Sequence, residues 1–320
     1  MLILTSKDVL SIIGSREAFD AVHAGFLHIS AGNIRPFERH QLNAGAERAL
    51  MGLMPVSDSE KDGPWALKVV LVGRENRALG LDSHQGFLLL ADGRTGQPIA
   101  LIDATSITAL RTAAASAVAT KALALPLPER IAILGGGTQA RSHADAMRRL
   151  YPAAELVVWS RSNGVEIAEQ LDATYAATVE DAARNAQVIC TVTGATTPIL
   201  DATNVAPGTH INAVGASRPV AREIAGDLVA ISKLVVDSRA QAENECGELL
   251  LARSEKSIAI DYPIVELQDI LSKAHPGRMS VEEITIFKSL GIAAEDLALG
   301  KEIIKRARAR GIGVEVEIGD

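Results

Sequence analysis

The chain is expected to fold as an α/β protein in two parts of different kind. Three observations carry that expectation: an aliphatic core, strand-like segments in close succession up to Asp103, and a regular strand–helix alternation after Pro126-Leu-Pro128. Of the 320 residues, 48% are apolar and 22% charged, which is enough to bury a core and excludes wholesale disorder. Aromatics make up only 3%, so Ala, Val, Leu and Ile must fill that core. The length suits two ordinary domains or one large one. The formal charge of −7 speaks against nucleic-acid binding, because gripping a phosphate backbone needs a strongly cationic surface.

Cys190 and Cys246 are too few for a disulfide framework and lack zinc-site spacing. Both are expected as small buried apolar residues. The first residues show no basic segment followed by a long apolar one, and no window of about 18 uninterrupted apolar residues exists. A cytoplasmic protein with no membrane partner is the expectation.

Residues 6–31 carry Val9, Ile12, Phe19, Val22 and Phe26 near helical spacing and read as amphipathic helices. Residues 49–55, 65–72 and 86–92 read as strands. Asp92-Gly93 and Thr95-Gly96 are hairpin-type turns into a further strand at 98–103. Short turns between successive strands suggest an antiparallel or mixed sheet. Residues 103–125 are Ala-rich and helical; Asp103, Thr105 or Ser106 could cap the start, and Pro126 closes the end. Strands follow at 130–134, 155–159, 188–193, 210–214 and 234–237. Their alternation with helices predicts a parallel sheet with right-handed crossovers. Residues 280–310 read as one long helix with a possible break at Gly291. Its Lys305, Arg306, Arg308 and Arg310 read as a solvated face with cations near a helix C-terminus, rather than a nucleic-acid stripe.

Gly135-Gly-Gly137-Thr-Gln-Ala140 follows an apolar strand and opens a helix, and a second strand ends about 20 residues on. Gly135 permits the tight turn, Gly137 lets a pyrophosphate approach the backbone, and Ala140 lets the helix pack on the strand. Free N–H groups and the positive end of the helix dipole face the phosphates. This is the Rossmann dinucleotide arrangement. The second strand ends in Ser160-Arg161-Ser162, where an NAD-specific site usually has a carboxylate. A carboxylate would repel a 2′-phosphate, whereas Arg161 and the serines could bind one, so NADP(H) is favoured over NAD(H). Thr191-Val-Thr193-Gly194 and Asn212-Ala-Val-Gly215 end later strands in small residues, suited to a nicotinamide ring lying against backbone.

With Arg111-Thr-Ala-Ala-Ala-Ser116, Gly135-Gly-Gly-Thr-Gln139, Ile211-Asn-Ala-Val-Gly215, Gly247-Glu-Leu249 and Thr285-Ile-Phe-Lys-Ser-Leu-Gly291 in this order, the chain resembles the ornithine cyclodeaminase and mu-crystallin family. Ser83-His-Gln85 and Val214-Gly-Ala-Ser-Arg-Pro219 look closest to its mu-crystallin branch. The resemblance implies a homodimer of two-domain subunits. Residues 1–118 and 298–320 would make an α+β substrate-binding and dimerisation domain, and residues 119–297 the Rossmann domain. Arg39, Lys68 and Arg111 match groups that bind a substrate carboxylate, with Lys68 and Arg111 also cast as catalytic. Ser217 and Leu290 fall at the substrate. Cofactor contacts carry over to Ser83, Thr112, Gly135, Gly137, Thr138, Gln139, Ser160, Thr193, Val214, Gly215 and Ser289, and Arg161 and Ser162 join them on the phosphate argument above. His84 would lie next to the cofactor. No metal site is implied.

One departure bears on the reaction. Cyclodeaminating members carry an Asp where this chain has Ser217, and a hydroxyl that does not ionise near neutral pH cannot replace a carboxylate base. Hydride transfer to a small α-imino acid is therefore the reading, either a cyclic ketimine such as pyrroline-2-carboxylate or the imine of an α-keto acid. Its alternatives are ornithine cyclodeaminase, an alanine-type amino-acid dehydrogenase, and a non-catalytic mu-crystallin-like ligand-binding protein.

Overall fold

The computed structural model describes residues 1–43, 50–60, 62–73, 76–82 and 84–318. Ser83, an expected cofactor contact, lies outside the described residues. In chain order the first elements are β1 (Leu2–Leu4), α1 (Ser6–Ile12), α2 (Ser15–Ser30), β2 (Ile34–Pro36), β3 (His40–Asn43), β4 (Leu50–Asp58), β5 (Trp65–Val72), β6 (His84–Ala91), β7 (Pro98–Asp103) and α3 (Ala104–Leu123). Thr5 and Asp8 form a capping box at the start of α1. Asp103 Oδ1 accepts the Ser106 N–H at 2.8 Å and starts α3. Then come β8 (Arg130–Leu134), α4 (Thr138–Leu150), β9 (Glu155–Trp159), α5 (Gly164–Gln170), β10 (Thr174–Tyr175), α6 (Val179–Ala183), β11 (Val188–Thr191), β12 (His210–Ala213), α7 (Gly226–Ala230), β13 (Ser232–Val236), α8 (Arg239–Glu245), α9 (Gly247–Ser254), β14 (Ile264–Glu266), α10 (Leu267–Leu271), β15 (Ile284–Lys288), α11 (Ala293–Arg310) and β16 (Val314–Glu315).

The chain divides into two units, Met1–Arg111 with Ile292–Asp320, and Thr112–Gly291. The sequence expectation had put the joints at 118/119 and 297/298.

The first unit holds a mixed sheet in the order β16-β1-β7-β6-β5-β4-β2, with β3 also paired to β4. Alternation along its strands separates two faces. One buries Met54, Val56, Val70, Leu88, Leu90 and Ile102, and α11 packs across β2, β4, β5 and β6. Gly300 makes that approach possible: a Cβ there would lie 2.8 Å from Leu88. The opposite face presents Leu53, Leu67, Val69, Leu89 and Leu101 half-buried and Phe87 exposed.

The second unit holds a parallel sheet in the order β10-β9-β8-β11-β12-β15-β13-β14. Its central strands are buried on both faces; β8 and β11 are mostly apolar, while β12 and β15 also bury His210, Asn212, Thr285 and Lys288. Chain progression reverses between β8 and β11, which makes the carboxyl ends of these two strands the switch point.

One expectation is corrected here. Residues 280–310 are not a single helix: Ile284–Lys288 forms β15 in the middle of the parallel sheet, and α11 starts only at Ala293. Glu282, Glu283 and Lys288 give this run a helix-like polar rhythm, but Ile284, Thr285, Ile286 and Phe287 are β-branched or aromatic and all buried.

Cys190 and Cys246 are both buried, and burial pushes each thiol up to about 12. Among the described residues, no helix is long and apolar enough to cross a membrane.

Candidate functional site

The second unit builds a cradle at the end of β8. Gly135 has φ +146°, a conformation open to glycine, and a Cβ there would lie 2.7 Å from the Val192 carbonyl oxygen at the end of β11. Gly137 is different: its backbone is extended, and a Cβ there would meet nothing within 4 Å. Gly137 is also the N-cap of α4 and makes no side-chain cap bond to it. Open space at Gly137, a glycine N-cap and a close-packed turn together fit a dinucleotide pyrophosphate at the helix N-terminus. Thr138 and Gln139 form the first turn of α4, and the Gln139 carbonyl accepts from His143 Nδ1 at 2.8 Å. His143 Nε2 lies 2.9 Å from Ser116 Oγ, tying α4 to α3 near the buried Thr112.

At the end of β9, Ser160 Oγ donates to Asn163 Oδ1 at 2.7 Å, and Asn163 Nδ2 donates to the Gly136 carbonyl at 3.0 Å. The serine hydroxyl therefore braces the glycine loop, while Arg161 and Ser162 are exposed on the turn that follows. Sequence reading had grouped the three residues; the structure separates a brace from two outward groups.

Farther along the carboxyl edge, Thr193 and Val214 are half-buried and Gly215 is exposed. Both strand ends are tied to Glu223, which sequence reading missed. Its carboxylate accepts from Thr191 Oγ1 at 2.8 Å, Thr193 N at 2.7 Å, Thr193 Oγ1 at 2.6 Å and Gly215 N at 2.6 Å. Ser217 is half-buried just beyond. Ser289 and Leu290 follow β15 and are buried; the Leu290 and Gly291 amides donate to Asp237 Oδ2 at 2.7 and 2.6 Å. Ser289 Oγ is buried without a hydrogen-bond partner among the described residues, an orphan that a ligand polar group could satisfy.

In the first unit, the structure brings Lys68 and Arg111 together. Lys68 sits in β5 between Leu67 and Val69 on the face that α11 covers and is 1% exposed. Its Nζ lies 2.7 Å from Asp296 Oδ2 and 2.8 Å from Oδ1. Arg111 Nη1 lies 2.9 Å from Glu295 Oε2, and its Nε 3.3 Å from Asp296 Oδ1. Glu295 and Asp296, in the first turn of α11, went unnoticed in the sequence because acids are ordinary at a helix N-terminus. They balance the two cations, so the Lys68–Arg111 cluster is close to neutral. Burial pulls Lys68 down to about 8, with Arg111 adding to the effect and Asp296 opposing it. Burial, then the charges of Lys68 and Arg111, also hold His84 below its usual range. Arg39 is half-buried one residue before β3. His40 pairs with Leu53 and Met54 with Lys68, so Arg39 stands level with Lys68 across β4.

A parallel nucleotide-binding sheet with a glycine-capped helix N-terminus, joined in one chain to a mixed-sheet unit with a buried Lys–Arg–acid cluster, defines a two-unit dinucleotide-dependent α/β protein. The chain belongs to the ornithine cyclodeaminase/mu-crystallin family, whose pattern matches residues 1–311. It is similar to the ketimine reductase mu-crystallin of Mus musculus, 38% identical over 290 residues and covering 88% of each chain. Its structure is similar to that of Thermococcus litoralis Delta(1)-pyrroline-2-carboxylate reductase in complex with NADH and L-proline. That match has a TM-score of 0.93 and 32% identity and covers 99% of this chain and 100% of the other. An archaeal alanine dehydrogenase dimer with bound NAD is similar at a TM-score of 0.92 and 30% identity, covering 100% and 99%.

Proposed function

We propose that this protein is an NAD(P)H-dependent reductase of a small α-imino acid, giving an L-amino acid. The observation that carries the reading is the buried Lys68, tuned to about 8 and held beside Arg111 by Asp296. A wholly buried lysine in an apolar strand costs several kcal/mol, and one poised near neutrality suits proton transfer.

When bound, the dinucleotide supplies a hydride to the imine carbon, and the imine nitrogen takes a proton. The chain's own groups do the rest. Arg111, with a fixed guanidinium, and Arg39 grip the substrate carboxylate. Lys68 Nζ keeps the imine nitrogen protonated, the form that accepts a hydride more readily. Asp296 and Glu295 stop the two cations from repelling each other and fix their direction. Gly135, Gly137, Thr138 and Gln139 would hold the dinucleotide's pyrophosphate, and Thr112, Thr193, Val214, Gly215 and Ser289 would hold its nicotinamide end. Ser217 and Leu290 are the further substrate contacts that the family resemblance implies, and a serine at 217 does not supply the carboxylate base that ring-closing deamination needs. In the reverse direction the same groups make an amino-acid dehydrogenase, the activity named for the archaeal relative.

The finer parts of the reading rest on particular residues. NADP(H) is the favoured cofactor because β9 ends without a carboxylate, and the exposed Arg161 and Ser162 that follow it suit a 2′-phosphate. A homodimer is the assembly this reading assigns, and the apolar sheet face around half-buried Val69 and Leu89 and exposed Phe87 suits a second copy of the chain. The cytoplasm, where reduced pyridine nucleotide is available, is the compartment this reading assigns.

The test is loss of reduced-nicotinamide absorbance with a panel of cyclic and acyclic imines. Oxidation by a cyclic ketimine carboxylate, or by an α-keto acid with an amine, is expected. If none reacts while ornithine releases ammonia, the reading fails.

A further inference from the structure

Gly247-Glu-Leu249 takes no part in the chemistry above, and neither does Lys288 within Thr285–Gly291, yet each of these two motifs contributes one fully buried charged group, Glu248 and Lys288. Glu223 is the third, also fully buried. The three form one connected path. Glu223 accepts the four hydrogen bonds from Thr191, Thr193 and Gly215 described above. Its backbone N–H donates to Glu248 Oε1 at 3.1 Å, and its carbonyl accepts from Ile199 N at 2.8 Å. Lys288 Nζ lies 2.9 Å from Glu248 Oε2 and donates to the Ala216 carbonyl. The path therefore closes on residues 214–217 from both sides, with Glu223 holding the Gly215 N–H and Lys288 holding the Ala216 carbonyl.

The physical need is clear. Where parallel strands end, backbone N–H groups lose their ladder partners and loops become free to move. Two such amides, of Thr193 and Gly215, point to one carboxylate in a dry site, where a charge-assisted bond is strong. Gly215 is crowded into place: a Cβ would lie 2.0 Å from the Thr193 carbonyl oxygen and 2.6 Å from Glu223 Oε1. Keeping an ionised glutamate there costs stability, since burial pushes its carboxyl above the usual range. An apolar residue would serve packing better, so the arrangement calls for another explanation.

We propose that Glu223, supported by Glu248 and Lys288, is a positioning residue that locks the ends of β11 and β12 into the shape that receives the nicotinamide ring. The inference rests on the dinucleotide-dependent reading above and names residues that reading does not use.

The experiment is Glu223→Gln, with the affinity for NADH and NADPH measured by nucleotide fluorescence on the full chain and with thermal unfolding of the cofactor-free protein. An amide nitrogen in place of one carboxylate oxygen cannot accept both donors on its side. The expected result is a rise in Kd for both dinucleotides of about tenfold or more, the equivalent of losing one charge-assisted hydrogen bond. The cofactor-free Tm should stay within about 4 °C, and kcat should fall with the KM for imino acid little changed. An unchanged Kd, or a lowered Tm with unchanged Kd, overturns the proposal. Should this variant not fold, Thr191→Val withdraws one donor at constant shape: a Kd raised about threefold supports the inference and an unchanged Kd refutes it. A wild-type chain that binds neither dinucleotide would instead refute the underlying functional reading.

Discussion

Lys68 Nζ and the Asp296 carboxylate are in contact at 2.7 and 2.8 Å, joining the middle of β5 to the first turn of α11 across 228 residues of sequence. Both are buried, and Arg111 Nε approaches the same carboxylate at 3.3 Å. A pair of this kind is weak evidence for stability, because desolvation offsets much of the attraction. It is stronger evidence for a group kept in place for chemistry, and it can be tested directly.

Replacing Lys68 with Met should lower kcat/KM for imine reduction by about 100- to 10,000-fold, the range of a lost proton donor. The fold should survive, because Arg111 remains to pair with Asp296. Steady-state kinetics with a matching thermal melt checks both parts.

The pH profile follows from the sign of the shift. Burial pulls Lys68 down to about 8, and in the proposed role it must be protonated to donate. Reduction should run at full rate below that value and fall as the pH rises through it. Amine oxidation, which needs a proton acceptor, should rise over the same interval. In Asp296→Asn the anion that supports the charged lysine is gone, so the alkaline limb should move to lower pH. An unmoved limb would assign the titration to another group.

Gly137→Val offers a clean separation of folding from binding. The new side chain enters open space on an extended backbone, so Tm should hold while dinucleotide affinity is lost. Gly135→Ala should behave in the opposite way. Its φ of +146° and a 2.7 Å clash with the Val192 carbonyl oxygen predict a loss of about 1–3 kcal/mol in denaturant unfolding.

Arg161→Ala should weaken NADPH binding by about tenfold or more and leave NADH binding unchanged, because only the former has a 2′-phosphate for the guanidinium to meet. Arg161 is exposed, so stability should change by less than about 0.5 kcal/mol. Equal effects on both dinucleotides would remove the argument for NADPH preference.

Val69→Lys places a charge in the apolar sheet face of the first unit beside Phe87, its partner on β6. Sedimentation should report a shift from dimer to monomer. A wild-type chain that sediments as a monomer would remove the proposed use of that face.

Much of this architecture can be read in the residues themselves. The mostly apolar runs at 130–134 and 188–191 have little choice but buried parallel strands, and Gly135 to Ala140 is punctuated like a phosphate loop. Residues 284–288 mislead because charged neighbours imitate a helix face, although the run Ile284-Thr-Ile-Phe287 is β-rich. The partners of Lys68 and Arg111 are hidden for a different reason. Glu295 and Asp296 suit a helix N-terminus whether or not they meet a cation, and only the packing of α11 on the sheet brings the charges together. Glu223 gives even less sign of itself, lying between Arg222 and Ile224 in a loop, and its isolation from water emerges only on folding.

The split first unit has a consequence for how the protein is made. Residues 292–320 belong with residues 1–111, so a nascent chain leaving the ribosome cannot complete that unit until the later segment has been synthesised. The intervening nucleotide-binding unit is contiguous and free to fold first. Until α11 arrives, β5 carries an ammonium with no counter-ion and an apolar sheet with no cover, which is the interval in which the growing polypeptide is most open to chaperones and to aggregation.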